Sequence, residues 1–154
     1  MKVETRDAKS SDLEKLISLT NDTIDRNYRP FMSDEGVKFI LKSEFYNSYI
    51  TDRLDHTIVV EVNDQLCGFL ISRENQLELL MVDSDIHGYG AGSNLLKHFE
   101  DKLSREYKSV FCQIHSGNEK ALGFFKSKGF SENSKQFDPM AKQDIVTITK
   151  ELDE

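Results

Sequence analysis

The sequence predicts an α+β domain, a mixed and largely antiparallel central sheet of about seven strands flanked by about four helices. Three observations lead there. Short runs rich in β-branched and apolar residues recur between polar turns. Two of them, Thr57–Val62 and Leu66–Ser72, are separated by little more than Asn63-Asp64, and a third, Leu77–Val82, follows after Arg73-Glu74-Asn75. That is the pattern of an antiparallel meander. Amphipathic helical segments sit before and after this meander, a pattern that gives a mixed parallel and antiparallel sheet flanked by helices.

Taken in order, Val3–Thr5 opens a first strand. Ser11 and Glu14 have the spacing of a capping box, and Leu13, Leu16, Ile17, Thr20 and Ile24 then follow at helical spacing. A loop containing Asn27, Tyr28, Arg29, Pro30 and Phe31 ends that helix. Ser33 or Asp34 caps a second helix with Val37, Ile40, Leu41 and Phe45 on its apolar face. Asn47–His56 reads as a polar connection to the meander. After Val82 come a glycine-punctuated loop, a helix bearing Leu95, Leu96, Phe99 and Leu103, and a strand at Ser109–Ile114. A further helix and a closing pair of strands, Phe130–Phe137 and Asp144–Lys150, complete the chain.

The 154 residues, 38% hydrophobic and 31% charged, describe one globular domain, taken as 1–154. A formal charge of −7 argues against nucleic acid as a partner and suits a cationic acceptor. There is no apolar run of membrane-spanning length and no signal-peptide core at the N-terminus, so a cytoplasmic protein that avoids membranes is expected. Cys67 and Cys112 lie in strand-like segments and read as buried thiols. His56, His87, His98 and His115 lack metal-ligand spacing, and no metal is expected.

The stretch Gln76–Phe99 organises the chain. A strand ends in Asp83-Ser84-Asp85, three alternating glycines follow (Gly88, Gly90, Gly92), and a helix starts at once. A strand, a glycine loop and a helix N-terminus can converge backbone N–H groups on a phosphate. The triphosphatase loop requires Gly-Lys before a hydroxyl residue, which is absent. The dinucleotide fingerprint fails too, because Ser93 occupies the sixth position counted from Gly88 and no acid follows at the right distance. His87-Gly88-Tyr89-Gly90-Ala91-Gly92-Ser93 instead resembles the coenzyme A diphosphate loop of the GCN5-related N-acetyltransferases, with Gly90 and Gly92 at its two small positions. His87 stands where that family usually has Arg or Gln. A second landmark follows in register: Asn118, Ala121, Phe124, Gly129 and Phe130 match the family's next motif, with Phe125 in place of its tyrosine.

The resemblance implies the acyl-CoA N-acyltransferase fold and acetyl-CoA as the acetyl donor. Direct transfer to a primary amine is then expected, the amine belonging to a small molecule, a polyamine or a protein. It also implies diphosphate binding by His87, Gly88, Tyr89, Gly90, Ala91, Gly92 and Ser93. Pantetheine would lie along Leu80, Met81 and Val82, with the N–H of Met81 or Val82 polarising the thioester. Asn118 and Phe125 would adjoin the cofactor arm. Glu78 is the expected general base, directly or through water; strand alternation places it opposite Leu77 and Leu79. Pairing with a nearby cation is its structural alternative. Phe125 cannot serve as an acid, which leaves open an unaided thiolate, or a tyrosine from the Tyr28 or Tyr49 region. It also leaves open a coenzyme A-binding regulatory module with little turnover. Tyr28 and Phe31 are expected to line the acceptor side, together with Asp25 and Glu35. His115 is a minor base candidate, Cys112 a weaker candidate nucleophile, and a homodimer is possible.

Overall fold

The computed structural model describes residues 2–86 and 89–152. Its elements run β1 (Val3–Asp7), α1 (Leu13–Asn27), α2 (Asp34–Ser43), α3 (Phe45–Asp52), β2 (Thr57–Val62), β3 (Gln65–Arg73) and β4 (Gln76–Val82). They continue as α4 (Ala91–Leu103), β5 (Ser109–His115), α5 (Glu119–Ser127), β6 (Ser131–Asp138) and β7 (Gln143–Glu151). The strands form one seven-stranded sheet in the order β1-β2-β3-β4-β5-β7-β6. All neighbours are antiparallel except β4 and β5.

Each sheet face carries its own apolar core. On one side α4 and α5 bury Leu95, Leu96, Phe99 and Phe125 against Val60, Leu70, Leu77 and Ile148. On the other, α1–α3 bury Leu16, Ile24, Val37 and Ile50 against Val59, Phe69, Ile71 and Met81. Leu16, Thr20 and Ile24 follow at four-residue steps, which puts them on one stripe of α1. The buried Thr20 hydroxyl is satisfied within the helix by donating to the Leu16 carbonyl at 2.8 Å. Among the described residues no helix is long and apolar enough to cross a membrane.

Three local expectations are corrected. The Ser11/Glu14 capping box does not form. Ser10–Asp12 is instead a 3₁₀ turn, and Asp12 accepts from the Lys9 N–H at 2.8 Å while forming a two-pronged pair with Arg6. Arg6 also reaches Glu61 at 2.7 Å, so this corner is tied to β2 rather than capped locally. Next, the polar stretch after Phe45 is helical. Glu44 adopts a left-handed conformation (φ 55°) that ends α2 and begins α3, giving five α-helices among the described residues. Tyr46, Tyr49 and Ile50 supply the apolar face of α3, hidden in the sequence by intervening polar residues.

The third correction concerns β4. Ile71 pairs with Leu79 but Ser72 pairs with Leu77, so Glu78 is an extra residue in a β-bulge. Simple alternation breaks there. Leu77 packs with the α4/α5 core, whereas Leu79 packs with the α1–α3 core. Glu78 turns towards α3, on the same side as Leu79.

Candidate functional site

The parallel pairing of β4 and β5 lasts for only two residue pairs, Gln76 with Phe111 and Leu77 with Cys112. Beyond the bulge the strands diverge, so the C-terminal half of β4 faces a gap. The β3–β4 ladder decides which backbone groups look into it. The Asp83 N–H donates to the Cys67 carbonyl at 2.7 Å, in register with Gly68–Val82 and Phe69–Met81. Because hydrogen-bonded pairs alternate along an antiparallel ladder, Met81 and Leu79 spend their N–H and C=O groups on β3. Leu80 and Val82 point theirs into the gap. Of the two donors expected for a thioester, Val82 is therefore the one facing the opening, with Leu80 beside it. The bulge at Glu78 sets this phase.

Helix α4 begins at the far end of the same gap. Gly90 is its N-cap at φ 70° and ψ 22°, left-handed geometry that glycine adopts without steric cost. A Cβ there would meet nothing nearer than Asn94 Nδ2 at 3.8 Å, so the requirement is backbone conformation rather than space. The Asn94 N–H and side-chain amide both donate to the Gly90 carbonyl at 2.9 Å, stiffening the turn. The N–H groups of Ala91, Gly92 and Ser93 occupy the first turn, where a helix provides no partner, and no side chain among the described residues caps them. Three donors at the positive end of a helix dipole are chemically suited to an anion.

Between these elements lies a cavity of about 920 Å³. Of the residues expected at the site, Leu80, Met81, Val82, Gly90, Ala91, Gly92, Ser93, Asn118, Phe125, Tyr28 and Phe31 line it. Tyr89 is 44% exposed and does not, and His87 and Gly88 lie outside the described residues. Asn118 serves the fold as well, because its side chain caps α5 by accepting from the Ala121 N–H at 3.3 Å. Phe125 is buried and packs edge-to-face against Phe124 and Phe130, each with ring centres 5.2 Å away. Phe124 also lies against Gly92, where an added Cβ would sit 3.4 Å from its ring. Small residues at the start of α4 thus let α5 close one wall.

The opposite wall is built from the end of α1 and the following loop. Tyr28 and Phe31 pair at 4.9 Å between ring centres. Burial pushes the Tyr28 phenol well above its usual range, which keeps it protonated. Thr23, Arg26, Asn27 and Pro30 complete this wall, and Asp83, Ser84 and Ile86 extend the floor beyond Val82. The sequence reading missed these residues. Arg26 carried one available signal, lying one helical turn from Asp22, and it pairs with Asp22 at 3.4 Å and Asp85 at 3.2 Å. Asp25, considered for the acceptor side, is held by Arg29 at 3.0 Å.

Glu78 does not line the cavity. Its side chain is only 11% exposed, 3.6 Å from Arg53 Nε and accepting from the Tyr49 hydroxyl at 3.3 Å. The Arg53 guanidinium stacks over the Tyr49 ring at 3.8 Å. Burial, and then the Glu78 charge, push the Tyr49 phenol up to about 12. Cys67 and Cys112 are free and buried; desolvation pushes the Cys112 thiol up to about 12, which removes its thiolate at neutral pH. His98 is partly buried against Thr5 at 3.1 Å, and His115 pairs with Asp138 at 3.1 Å. Among the described residues no cluster of three or more His, Cys, Asp or Glu could hold a metal.

Over 137 residues the chain is 24% identical to the peptidyl-lysine N-acetyltransferase YjaB of Escherichia coli, covering 84% of this chain and 83% of the relative. The Salmonella typhimurium counterpart is 22% identical over 84% of each chain. A GCN5-related N-acetyltransferase structure from Rhodopseudomonas palustris superposes with a TM-score of 0.84 at 16% identity, covering 99% of this chain and 97% of that one. The PaiA N-acetyltransferase of Thermoplasma acidophilum, solved with coenzyme A, superposes at 0.80 with 17% identity, covering 98% and 99%. A family model described as an acetyltransferase (GNAT) domain matches residues 28–141, from Tyr28 on the cavity wall to the loop before β7. The chain belongs to the GNAT family of acetyltransferases.

Proposed function

We propose that this protein transfers an acetyl group from acetyl-CoA to a primary amine by direct attack, both substrates being held together in the cavity. The single observation that carries the reading is the parting of β4 from β5 after Leu77, which leaves the Leu80 and Val82 N–H groups facing a cavity that ends at three uncapped amides. Acetyl-CoA supplies an activated thioester. In this reading the amides of Ala91, Gly92 and Ser93 bind its diphosphate and His87 and Gly88 contribute to the same loop's grip, while Leu80 and Val82 donate to the pantetheine arm and the thioester oxygen. Asn118 and Phe125 flank the arm near the sulfur.

The acceptor enters alongside the Tyr28–Phe31 pair in this reading, and Glu78 takes its proton through water, since its carboxylate is not itself on the cavity wall. The peptidyl-lysine acceptor named for the enterobacterial relatives is the first acceptor to try. The leaving thiolate departs unprotonated by the protein. Phe125 has no hydroxyl, and the Tyr28 and Tyr49 phenols hold their protons too tightly to give one to a thiolate.

The test is release of free thiol from acetyl-CoA with a panel of primary amines, alongside melting temperature with and without coenzyme A. A ligand at about 100 times its Kd adds about 2.7 kcal/mol to stability. Stabilisation with thiol release supports the reading. Stabilisation without release for any amine limits the chain to binding, and no stabilisation refutes the site.

A further inference from the structure

Among the described residues two cations, Arg26 and Lys120, line the cavity. Arg26, on the α1 wall, is shared between Asp22 at 3.4 Å and Asp85 at 3.2 Å. Lys120, in the first turn of α5, is exposed and has no ion-pair partner among the described residues. In a chain of net charge −7, where acidic residues outnumber basic ones, a lysine left unpaired at a cavity wall is free to meet an anion from outside.

A second lysine continues the same line. Lys120, Phe124 and Lys128 follow at four-residue steps, which places them on one stripe along α5. The tip of the Phe124 ring lies at the start of α4, where a Cβ added to Gly92 would sit 3.4 Å from it. Lys128 Nζ lies 5.8 Å from the centre of that ring, and Lys128 too has no ion-pair partner among the described residues. A single phenyl ring therefore separates its ammonium group from the first turn of α4, where the Ala91, Gly92 and Ser93 amides have no side-chain cap. Of the acidic residues on the cavity wall, Asp83 belongs to the floor beyond Val82, and Glu119 opens α5, where a carboxylate complements the helix dipole.

We propose that Lys120 and Lys128 bind the ribose 3′-phosphate of coenzyme A, so that the protein selects the full coenzyme over forms lacking that group. The inference rests on the cofactor reading above and extends it to the end of the molecule remote from the thioester. With the diphosphate on the α4 amides, the remaining phosphate is tethered to it through one ribose and stays close to the same helix ends. A phosphate monoester carries nearly two negative charges at neutral pH. Lysine meets it as a flexible point charge and needs no fixed fork. The Arg26 wall is the poorer partner, because a phosphate there competes with Asp22 and Asp85 for one guanidinium. A thioester on a carrier protein's phosphopantetheine arm lacks this phosphate, so the stripe favours the free donor.

Calorimetry with coenzyme A and with 3′-dephospho-coenzyme A, which keeps the diphosphate and the arm, tests this without turnover. Wild-type protein should bind coenzyme A about tenfold more tightly, about threefold from each exposed pair, and the preference should shrink as salt rises. Lys120→Gln and Lys128→Gln should each reduce the preference to about threefold, and the double variant should abolish it. Affinity for the dephospho form should stay unchanged throughout. Wild-type protein that binds both ligands equally overturns the assignment, as does a preference that survives in the double variant. Variants that weaken both ligands alike also overturn it, since the lysines would then serve the diphosphate. Wild-type protein that binds neither ligand refutes instead the cofactor reading on which the stripe rests.

Discussion

Replacing Gly90 separates the two roles assigned to the start of α4. At φ 70° any L-residue pays left-handed strain, about 1–2 kcal/mol, and since nothing within 3.8 Å obstructs a Cβ, this strain is the whole folding cost of Gly90→Ala or Gly90→Gln. Gly90→Glu adds a negative charge at the mouth of the anion site. At about 7 Å from a doubly charged diphosphate, with an effective dielectric near 40, that repulsion is about 2 kcal/mol, or roughly thirtyfold in Kd. Melting temperature of the free protein should fall in both variants, less in Glu by up to about 1 kcal/mol because its charge meets the positive helix end, whereas coenzyme A affinity by calorimetry should be about thirtyfold weaker in Glu than in Gln. The gap should narrow at high salt as the charges are screened. Equal coenzyme A affinity in the two variants would refute diphosphate binding at this helix end.

Other expectations follow from the same geometry. Glu78→Gln should lower turnover by about a hundredfold near neutral pH and by much less in alkali, where free amine needs no base; an unchanged pH–rate profile removes Glu78 from that role. Phe125→Tyr should change kcat by less than about threefold, because in this account thiolate departure needs no acid, and a tenfold rise would show that it does. The Arg6 hydrogen bonds hold the Asp12 carboxyl below its usual range. Its folded value being depressed, Asp12 stabilises the fold fully above the unfolded pKa of about 3.9 and loses that contribution as pH falls through the folded value. Asp12→Asn should accordingly flatten the acid side of a plot of melting temperature against pH, and an unaltered slope would count against the pair.

Features written in local spacing were legible in the sequence. The meander from Thr57 to Val82 is read from its turns, and Asn63 and Asp64 both adopt the positive φ that a tight hairpin requires (51° and 67°). The glycine loop and the Asn118 motif were legible because neighbouring residues build each of them. Ser33 was equally readable, its side chain accepting from the Gly36 N–H at 3.0 Å. What stayed hidden depends on partners far along the chain. The bulge at Glu78 exists only relative to β3, so strict alternation put the carboxylate on the wrong face. Asp12 pairs with Arg6, which also reaches Glu61, instead of capping α1 by its side chain, and Glu44 breaks a helix in a conformation its side chain does not announce. Gln143, whose side chain donates to the Phe31 carbonyl, lies 112 residues from it, and nothing in its neighbourhood sets it apart from any other strand-end polar residue.

The family also left a gap that the geometry narrows. A phenylalanine at 125 on its own suggests a disabled enzyme, but the ring is packed as a wall between Phe124 and Phe130 while the donors proposed to polarise a thioester come from the backbone of β4. Losing the hydroxyl leaves those donors untouched.

The most direct measurement is a crystal structure with coenzyme A bound. The account predicts diphosphate oxygens within about 3.2 Å of the Ala91, Gly92 and Ser93 nitrogens, with the pantetheine arm hydrogen-bonded to Leu80 and Val82 across the opening beyond Leu77. A diphosphate lodged elsewhere, or an arm that avoids the space between β4 and β5, would contradict it.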